Sequence, residues 1–383
     1  QVAHIPPVNY WSKLISHTPK TEHMKTPSVL LITLMSLILT LGCEKADPAD
    51  EPETMTIEFL GNTIKMIYCT GGTFLTNDDD SDTDFEDGPA VTVDPFWISE
   101  TEMPNELLNT VLKVCNGVIA VPGAITGGNS IFDTEEISAH NYVCESYVKW
   151  GWQPLLYMGG SQLYGLHDIT FNGGFEVRSG LDDYPCTDIT WHGAVMACNW
   201  LTTYSEGAAG ISYSGITTED EWWDDETICD FNKSGFRLPT AAEWECAARW
   251  QGGNSSGECY EYPAGSGDFW TRGGCASGAS AITSNVTATA AVALYEYDSD
   301  GFTNPADIDK VKGNRKSNIL GLYDMSGNVW EWCYDDAGRY SRLVRGGSAQ
   351  SKHHDVRIIS ATDYPADGTG SDLGFRLVMS AED

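Results

Sequence analysis

The sequence predicts an α+β fold with little regular secondary structure. Three observations point there. Apolar alternation broken by glycine turns marks strands near the front, over 57–75 and 89–103, and again through 319–383. Helical apolar spacing is confined to three short segments. Between them, 117–185 and 251–318 are long loop-rich stretches.

Each element follows from its residues. IEFLGNTIKMIYCTGGTFL (57–75) alternates around Gly turns and reads as a strand pair. NDDDSDTDFEDG (77–88) has alternating Asp residues that suit calcium. Counted from Asp80, however, the sixth residue is Phe85, where an EF-hand needs Gly, so a solvated loop is the better reading. PAVTVDPFWISETEM (89–103) alternates again and predicts a strand. PNELLNTVLKVCN (104–116) opens on Pro and keeps helical spacing, so it predicts a helix. Residues 117–185 read as an insertion with short strands.

DITWHGAVMACNWLTTYSE (188–206) places Ala194, Val195, Ala197, Cys198 and Leu201 at helix spacing, and His192 near its start reads as structural. GFRLPTAAEWECAARW (235–250) holds a capping box, Thr240 with Glu243. The hydroxyl accepts from an early helix N–H while the carboxylate reaches back, which predicts a helix over 241–249. No internal repeat divides the chain.

The 383 residues fit two average domains, or one large domain with a leader and long loops. Apolar residues at 41% and aromatics at 11% suffice for a sizeable core. With 55 acidic against 22 basic residues, the net charge is −33. Such a surface repels phosphate, which excludes nucleic acid as a partner and anionic lipid headgroups as a docking surface. It suits an exported soluble protein or one that binds divalent cations.

Residues 24–43, MKTPSVLLITLMSLILTLGC, have a basic start at Lys25, an apolar run over 28–41 and a terminal Gly42-Cys43. The run is short for a membrane span and suits a signal peptide, 24–42. The Gly-Cys end resembles the bacterial lipoprotein processing signal, in which the cysteine, here Cys43, becomes the lipidated N-terminus. Thr40 and Leu41 depart from that pattern, and cleavage elsewhere or an uncleaved anchor are the alternatives. Residues 1–23 precede Met24 and read as upstream translation or a mis-set start. Residues 43–56 have the composition of an acidic tether. The expected location is the bacterial cell envelope, as an outer-membrane or cell-surface lipoprotein, with the membrane reached only through the lipid.

Of eleven cysteines, ten remain once Cys43 is set aside. An even number in an exported chain suggests disulfides whose pairing is not deducible from spacing. The absence of CxxC excludes the common zinc patterns. Cys259 and Cys275, flanking a Gly-rich stretch, are the first candidate pair.

Four segments then occur in a telling order: TDITWHGAVMACNWL (187–201), GFRLPTAAEWECAARW (235–250), NILGLYDMSGNVWEWC (318–333), and RLVRGGS (342–348) with DLGFRLV (372–378). Together with GGTFL and VDPFWISETEMPNELL they resemble the formylglycine-generating enzyme family, also called the sulfatase-modifying factor family. The resemblance implies a C-type-lectin-like fold and a single domain over 57–383. It also implies an oxidase that converts a substrate cysteine to formylglycine, using oxygen and a copper ion held by two cysteines just after RGGS. Counted from Ser348, the first position is Ser351 and the second falls near Val356. No cysteine occurs in 334–383, so the soft thiolates that Cu(I) needs are missing and no copper is expected. The chain reads as a pseudoenzyme. His353 and His354 are the alternative metal ligands, but adjacent residues on a strand point to opposite faces.

The resemblance also implies a structural calcium ion wrapped by DMSGNVWEW, with the Asp324 and Glu331 side chains and the Gly327 and Val329 carbonyls as ligands. Hard oxygens of that kind suit calcium. Alternatively, Glu331 pairs with Arg345 or Arg376 and the loop is metal-free. Trp330 and Trp332 read as core.

Between the anchors, 349–371 is rich in Ser, His, Asp, Thr, Tyr and Gly. In the enzymes this stretch lines the substrate groove, and in some bacterial surface lipoproteins of this scaffold it is diversified by retroelements. Gln350, Ser351, His353, His354, Asp355, Asp363 and Tyr364 are the candidate contacts, and an ordinary polar loop is the alternative. Three functions compete: a non-catalytic surface protein binding a protein or glycan ligand, a true sulfatase-cysteine oxidase, and another enzyme. The last finds no support in the histidines at 4, 17, 23, 140, 167, 192, 353 and 354, which form no HExxH pattern.

Overall fold

The computed structural model describes residues 52–381 apart from 77–88, 116–167, 172–174, 206, 217–226, 253–258, 262–269, 297–307, 314 and 339. The leader, Cys43, the acidic loop and most of the insertion lie outside the described residues.

The chain enters through β1 (Thr54–Phe59) and β2 (Asn62–Cys69), an antiparallel hairpin whose two-residue turn has Leu60 and Gly61 at φ 49° and 91°. Positive φ at both positions matches the twist of the flanking strands. β1 begins inside the stretch read as a tether, because Met55 and Ile57 alternate onto the core.

The expected pair over 57–75 is in fact three strands, β3 (Gly72–Leu75) following a kink at Gly71 and Gly72. A Cβ on Gly71 would lie 2.2 Å from the Val93 carbonyl, so only glycine passes there. The single strand expected over 89–103 is likewise two, β4 (Ala90–Val93) and β5 (Phe96–Ser99). Pro95 lies between them and has no N–H to give a ladder. β5 pairs with β2 and later with the last strand of the chain, so residues near both ends close one sheet.

Three helices match the apolar spacing. α1 (Asn105–Cys115) buries Leu107, Leu108, Val111 and Leu112. α2 (Trp191–Ser205) starts beside His192, as expected, because Asp188 takes φ 57° and the Thr190 hydroxyl caps Gly193 N–H at 3.0 Å. All of Trp191–Thr202 is buried, His192 included, which is the mark of a helix inside the core. α3 (Ala241–Arg249) has the predicted capping box: Glu243 N–H donates to Thr240 Oγ1 at 3.1 Å, and Thr240 N–H donates to Glu243 Oε2 at 2.8 Å. In the loop-rich region, Cys259 and Cys275 are joined in a disulfide, as the sequence suggested.

Of the short hairpins in the loop-rich regions, β6 (Ile169–Phe171) and β7 (Phe175–Val177) belong to the end of the insertion. β8 (Tyr213–Ser214) pairs with β9 (Ile228–Cys229), and β10 (Tyr260–Glu261) with β11 (Trp270–Thr271). A short α4 (Val286–Ala290) precedes the second sheet. That sheet has the order β14-β13-β12-β15, from β12 (Trp330–Gly338), β13 (Ser341–Arg345), β14 (Ala361–Pro365) and β15 (Leu373–Gly374). β15 runs parallel to β12 and the other pairs are antiparallel. The closing strand is β16 (Val378–Ser380).

One core cluster gathers α1, α2, Trp332 and Phe375, and another surrounds Trp244 of α3 with Phe74, Phe96 and Trp270. Among the described residues, no helix is long and apolar enough to cross a membrane.

Candidate functional site

The site is built on the turn that follows β13. Gly346 and Gly347 take φ 95° and 74°, and a Cβ on Gly347 would meet the Asp355 carbonyl at 2.8 Å. Those glycines let the chain fold back on itself, and Ser348 fixes the fold-back. Its hydroxyl donates to Asp372 Oδ2 at 2.6 Å and accepts from Gln350 N–H at 3.2 Å, while its own N–H donates to Ser351 Oγ at 3.0 Å.

Above this hub lies an open groove of about 700 Å³. Its floor is Trp330, Ser348 and Asp372, and one wall is Gln350, Ser351, His354 and Asp355. Arg357, Ile359 and Ser360 continue the wall into Ala361 and Thr362 of β14. The His354 carbonyl ties the wall together, accepting from Arg357 Nε at 2.8 Å and Ser360 Oγ at 2.7 Å.

Four of the seven expected contacts therefore line one groove: Gln350, Ser351, His354 and Asp355. The other three do not. His353 stands edge-on to His354, ring centroids 5.5 Å apart, outside the lining. These residues sit in a turn and not on the extended strand that the sequence reading assumed. Asp363 is exposed on β14 opposite Leu343. Tyr364 turns inward, packing on Trp332 at 5.8 Å and donating its hydroxyl to the Thr369 carbonyl. Trp330 and Asp372 are the residues the sequence reading missed. Trp330 was read as core and is half-exposed in the groove, whereas Trp332 is fully buried.

The two positions expected for copper thiols differ in kind. Ser351 is at the groove, hydrogen-bonded to Ser348. Val356 is fully buried against Ala276, Val292 and Ala293. Neither side chain is a soft ligand, so the residues present do not fit copper.

The loop expected to hold calcium packs directly under this turn. Gly327 N–H donates to the Gly346 carbonyl, and Ala349 N–H to the Asn328 carbonyl. Asp324, Gly327 and Asn328 all take positive φ. Both carboxylate oxygens of Glu331 are engaged: Oε2 accepts from Trp244 Nε1 at 2.7 Å and Arg376 Nε at 2.6 Å, and Oε1 from Arg376 Nη2 at 2.5 Å. The alternative pairing with Arg376 is thus present, while Arg345 pairs with Glu245.

Two more buried carboxylates share the neighbourhood. Glu102 accepts from Asn328 Nδ2 and Val329 N–H, and Asp324 accepts from Lys312 N–H. Burial pushes Asp324 up to about 6, with Arg376 opposing the rise. Burial also pushes Glu102 well up, and the charges of Asp324 and Glu331 push it further. Three carboxylates facing one guanidinium leave excess negative charge that suits a divalent cation. Yet among the described residues no three acidic, His or Cys side chains converge as metal ligands. Of the two carboxylates expected as calcium ligands, Glu331 is engaged by Trp244 and Arg376.

The model of the sulfatase-modifying factor enzyme 1-like domain matches residues 53–381. The chain belongs to that family. The mouse inactive C-alpha-formylglycine-generating enzyme 2 is 26% identical over 373 residues, covering 93% of each chain. The formylglycine-generating enzyme of Thermomonospora curvata is 25% identical over 339 residues, covering 81% of this chain and 92% of that one. The chaperone protein LppX of Paenibacillus barcinonensis is 27% identical over 216 residues, covering 52% and 71%. Among solved structures, Treponema denticola variable protein 1 superposes with a TM-score of 0.53 at 21% identity, over 86% of this chain and all of that one. The fold is the irregular α+β, C-type-lectin-like fold of these sulfatase-modifying-factor proteins.

Proposed function

We propose that this domain is a non-catalytic binding module that takes a protein or glycan ligand in the groove between the RGGS turn and β14. One observation carries this reading: where the family's oxidases need two thiols, this chain has a hydrogen-bonded serine at the groove and a valine in the core, yet the groove remains. Its chemistry suits recognition. A half-exposed indole offers an apolar platform, and Asp372, Gln350, Asp355 and Arg357 offer acceptors and donors around it. The similarity to an inactive relative over nearly the whole chain supports the same reading.

We further infer that the module is displayed on a bacterial envelope through a lipid on Cys43. A structural calcium ion by Asp324 and the Gly327 and Val329 carbonyls belongs to the same proposal, because calcium accepts backbone carbonyls readily. Its role there is to neutralise the buried carboxylates of Glu102 and Asp324.

The test presents the purified full chain to a glycan array and to a displayed peptide library, beside a Gln350→Ala, His354→Ala variant. Expected is selective binding that the variant loses while its melting temperature holds. The opposing assay incubates the chain with a sulfatase-motif cysteine peptide, copper and oxygen. Loss of the peptide's sulfur by mass spectrometry overturns the non-catalytic reading.

A further inference from the structure

Two cysteines outside the groove meet in the core. Cys69 is the last residue of β2, opposite Phe96 of β5. Cys246 lies in the middle of α3, 177 positions further along the chain. Their sulfurs are 4.0 Å apart, and both residues are fully buried in the same apolar cluster. No other element separates the two thiols, which touch each other as hydrogen-bond partners.

We propose that Cys69 and Cys246 form a disulfide when the chain folds under oxidising conditions, stapling the first sheet to α3. An S–S bond is about 2.0 Å long, so the sulfurs must approach by about 2 Å, or about 1 Å each. The same chain already brings Cys259 and Cys275 into a disulfide, with Cα atoms 6.0 Å apart.

The staple would act where the frame of the groove is anchored. α3 carries Trp244, which donates to Glu331, and Glu245, which holds Arg345 of the RGGS motif. A covalent tie at Cys246 fixes the helix that both of these depend on. In the folded thiol form the proton on Cys246 is held tightly, first by the contact with Cys69 and then by burial. Thiolate is the attacking species, so the bond forms before the core closes.

The step balances as thiol–disulfide exchange. One cysteine thiolate attacks the S–S bond of a small-molecule or oxidoreductase disulfide, releasing one thiol and leaving a mixed disulfide. The second cysteine attacks that bond and releases the other thiol. Two protons and two electrons leave the pair, and the oxidant's disulfide takes them up.

The full chain, reduced and denatured, is refolded in a buffer of glutathione and glutathione disulfide. It is then denatured with iodoacetamide, digested without reduction and mapped by mass spectrometry. The expected product is a linked peptide pair carrying Cys69 and Cys246, two hydrogens lighter than the sum of the free peptides and separated by reductant. In Cys69→Ser, the Cys246 peptide is recovered alkylated. The Cys259–Cys275 bond is the internal control for oxidising conditions. If that control is linked while Cys69 and Cys246 are both alkylated, or are joined to other cysteines, the proposal fails.

Discussion

Arg376→Met removes a guanidinium that faces the buried carboxylates Glu331, Glu102 and Asp324. The structure sets the size of the effect. Arg376 is fully buried, holds Glu331 through two contacts at 2.5 and 2.6 Å, and also donates to the Ser99 and Tyr323 carbonyls. Removing one partner of a buried pair costs roughly 3–5 kcal/mol, because the other charge is left uncompensated. Two carbonyls that lose a donor add about 1 kcal/mol each. The sum, about 5–7 kcal/mol, rivals the whole stability of an ordinary domain, roughly 5–15 kcal/mol. The variant should therefore unfold at low urea, or fail to fold, at pH 7. Glu331→Gln with Arg376→Met removes the stranded charge and keeps an acceptor for Trp244, so the double variant should be more stable than the single one by about 2 kcal/mol.

The pH dependence has a definite sign. Burial raises the carboxyls of Asp324 and Glu102, and Arg376 holds both down. Without Arg376 they rise further. A raised carboxyl contributes stability below its unfolded value and loses it as pH rises through the folded one. Arg376→Met should thus come closest to wild type near pH 4 and fall furthest behind above about pH 6. Tryptophan fluorescence in urea, with EDTA present so that no cation replaces the guanidinium, reads both effects. A single variant within about 1 kcal/mol of wild type, or a double variant no better than the single, refutes the reasoning.

Gly327→Ala should cost at least about 2 kcal/mol in urea, since φ is 78° and the new Cβ would lie 2.0 Å from the Leu294 carbonyl; an unchanged midpoint would show that the loop yields freely. Calcium added to EDTA-stripped protein should raise its melting temperature. At 100 times the dissociation constant the gain is about 2.7 kcal/mol, and Asp324→Ala should abolish it. A melting temperature indifferent to EDTA removes the calcium assignment. Lipid labelling in a bacterial host should disappear in Cys43→Ala, and equal labelling of that variant removes the anchor.

Local signals were legible and non-local ones were not. The capping box of Thr240 and Glu243 and the apolar spacing of α1 depend on residues within a turn of each other, and both appear as read. The break between β4 and β5 was also written in the chain, at Pro95, but the surrounding alternation obscured it. The groove was half legible. Gln350, Ser351, His354 and Asp355 lie on one continuous turn, so a polar segment pointed to them. Asp372 and Trp330 reach the same groove through the Ser348–Asp372 contact and the parallel pairing of β12 with β15, which leave no periodic trace. Glu102 was missed for the same reason: its partner Asn328 is 226 positions away, and a buried carboxylate in a β-type stretch carries no distinguishing pattern.

The residues that make the family recognisable are those that hold the fold, and this separates the motif from the activity. Arg237 of GFRLPT pairs with Glu243, and Glu245 sits between Arg249 and Arg345. Glu331 of NVWEW pairs with Arg376 of GFR, and Ser348 of RGGS holds Asp372. A buried paired charge resists single replacement at a cost of several kcal/mol. Exposed turn residues such as Gln350 and His354 change at within about 0.5 kcal/mol. The frame therefore keeps its signature while the groove wall is free to vary. The two thiol positions straddle that boundary. Ser351 stands at the groove, whereas Val356 is packed beneath the turn in an apolar cluster, where an apolar side chain is favoured over a polar one. Retention of the scaffold alongside replacement of the thiol positions then follows from the same division between frame and wall.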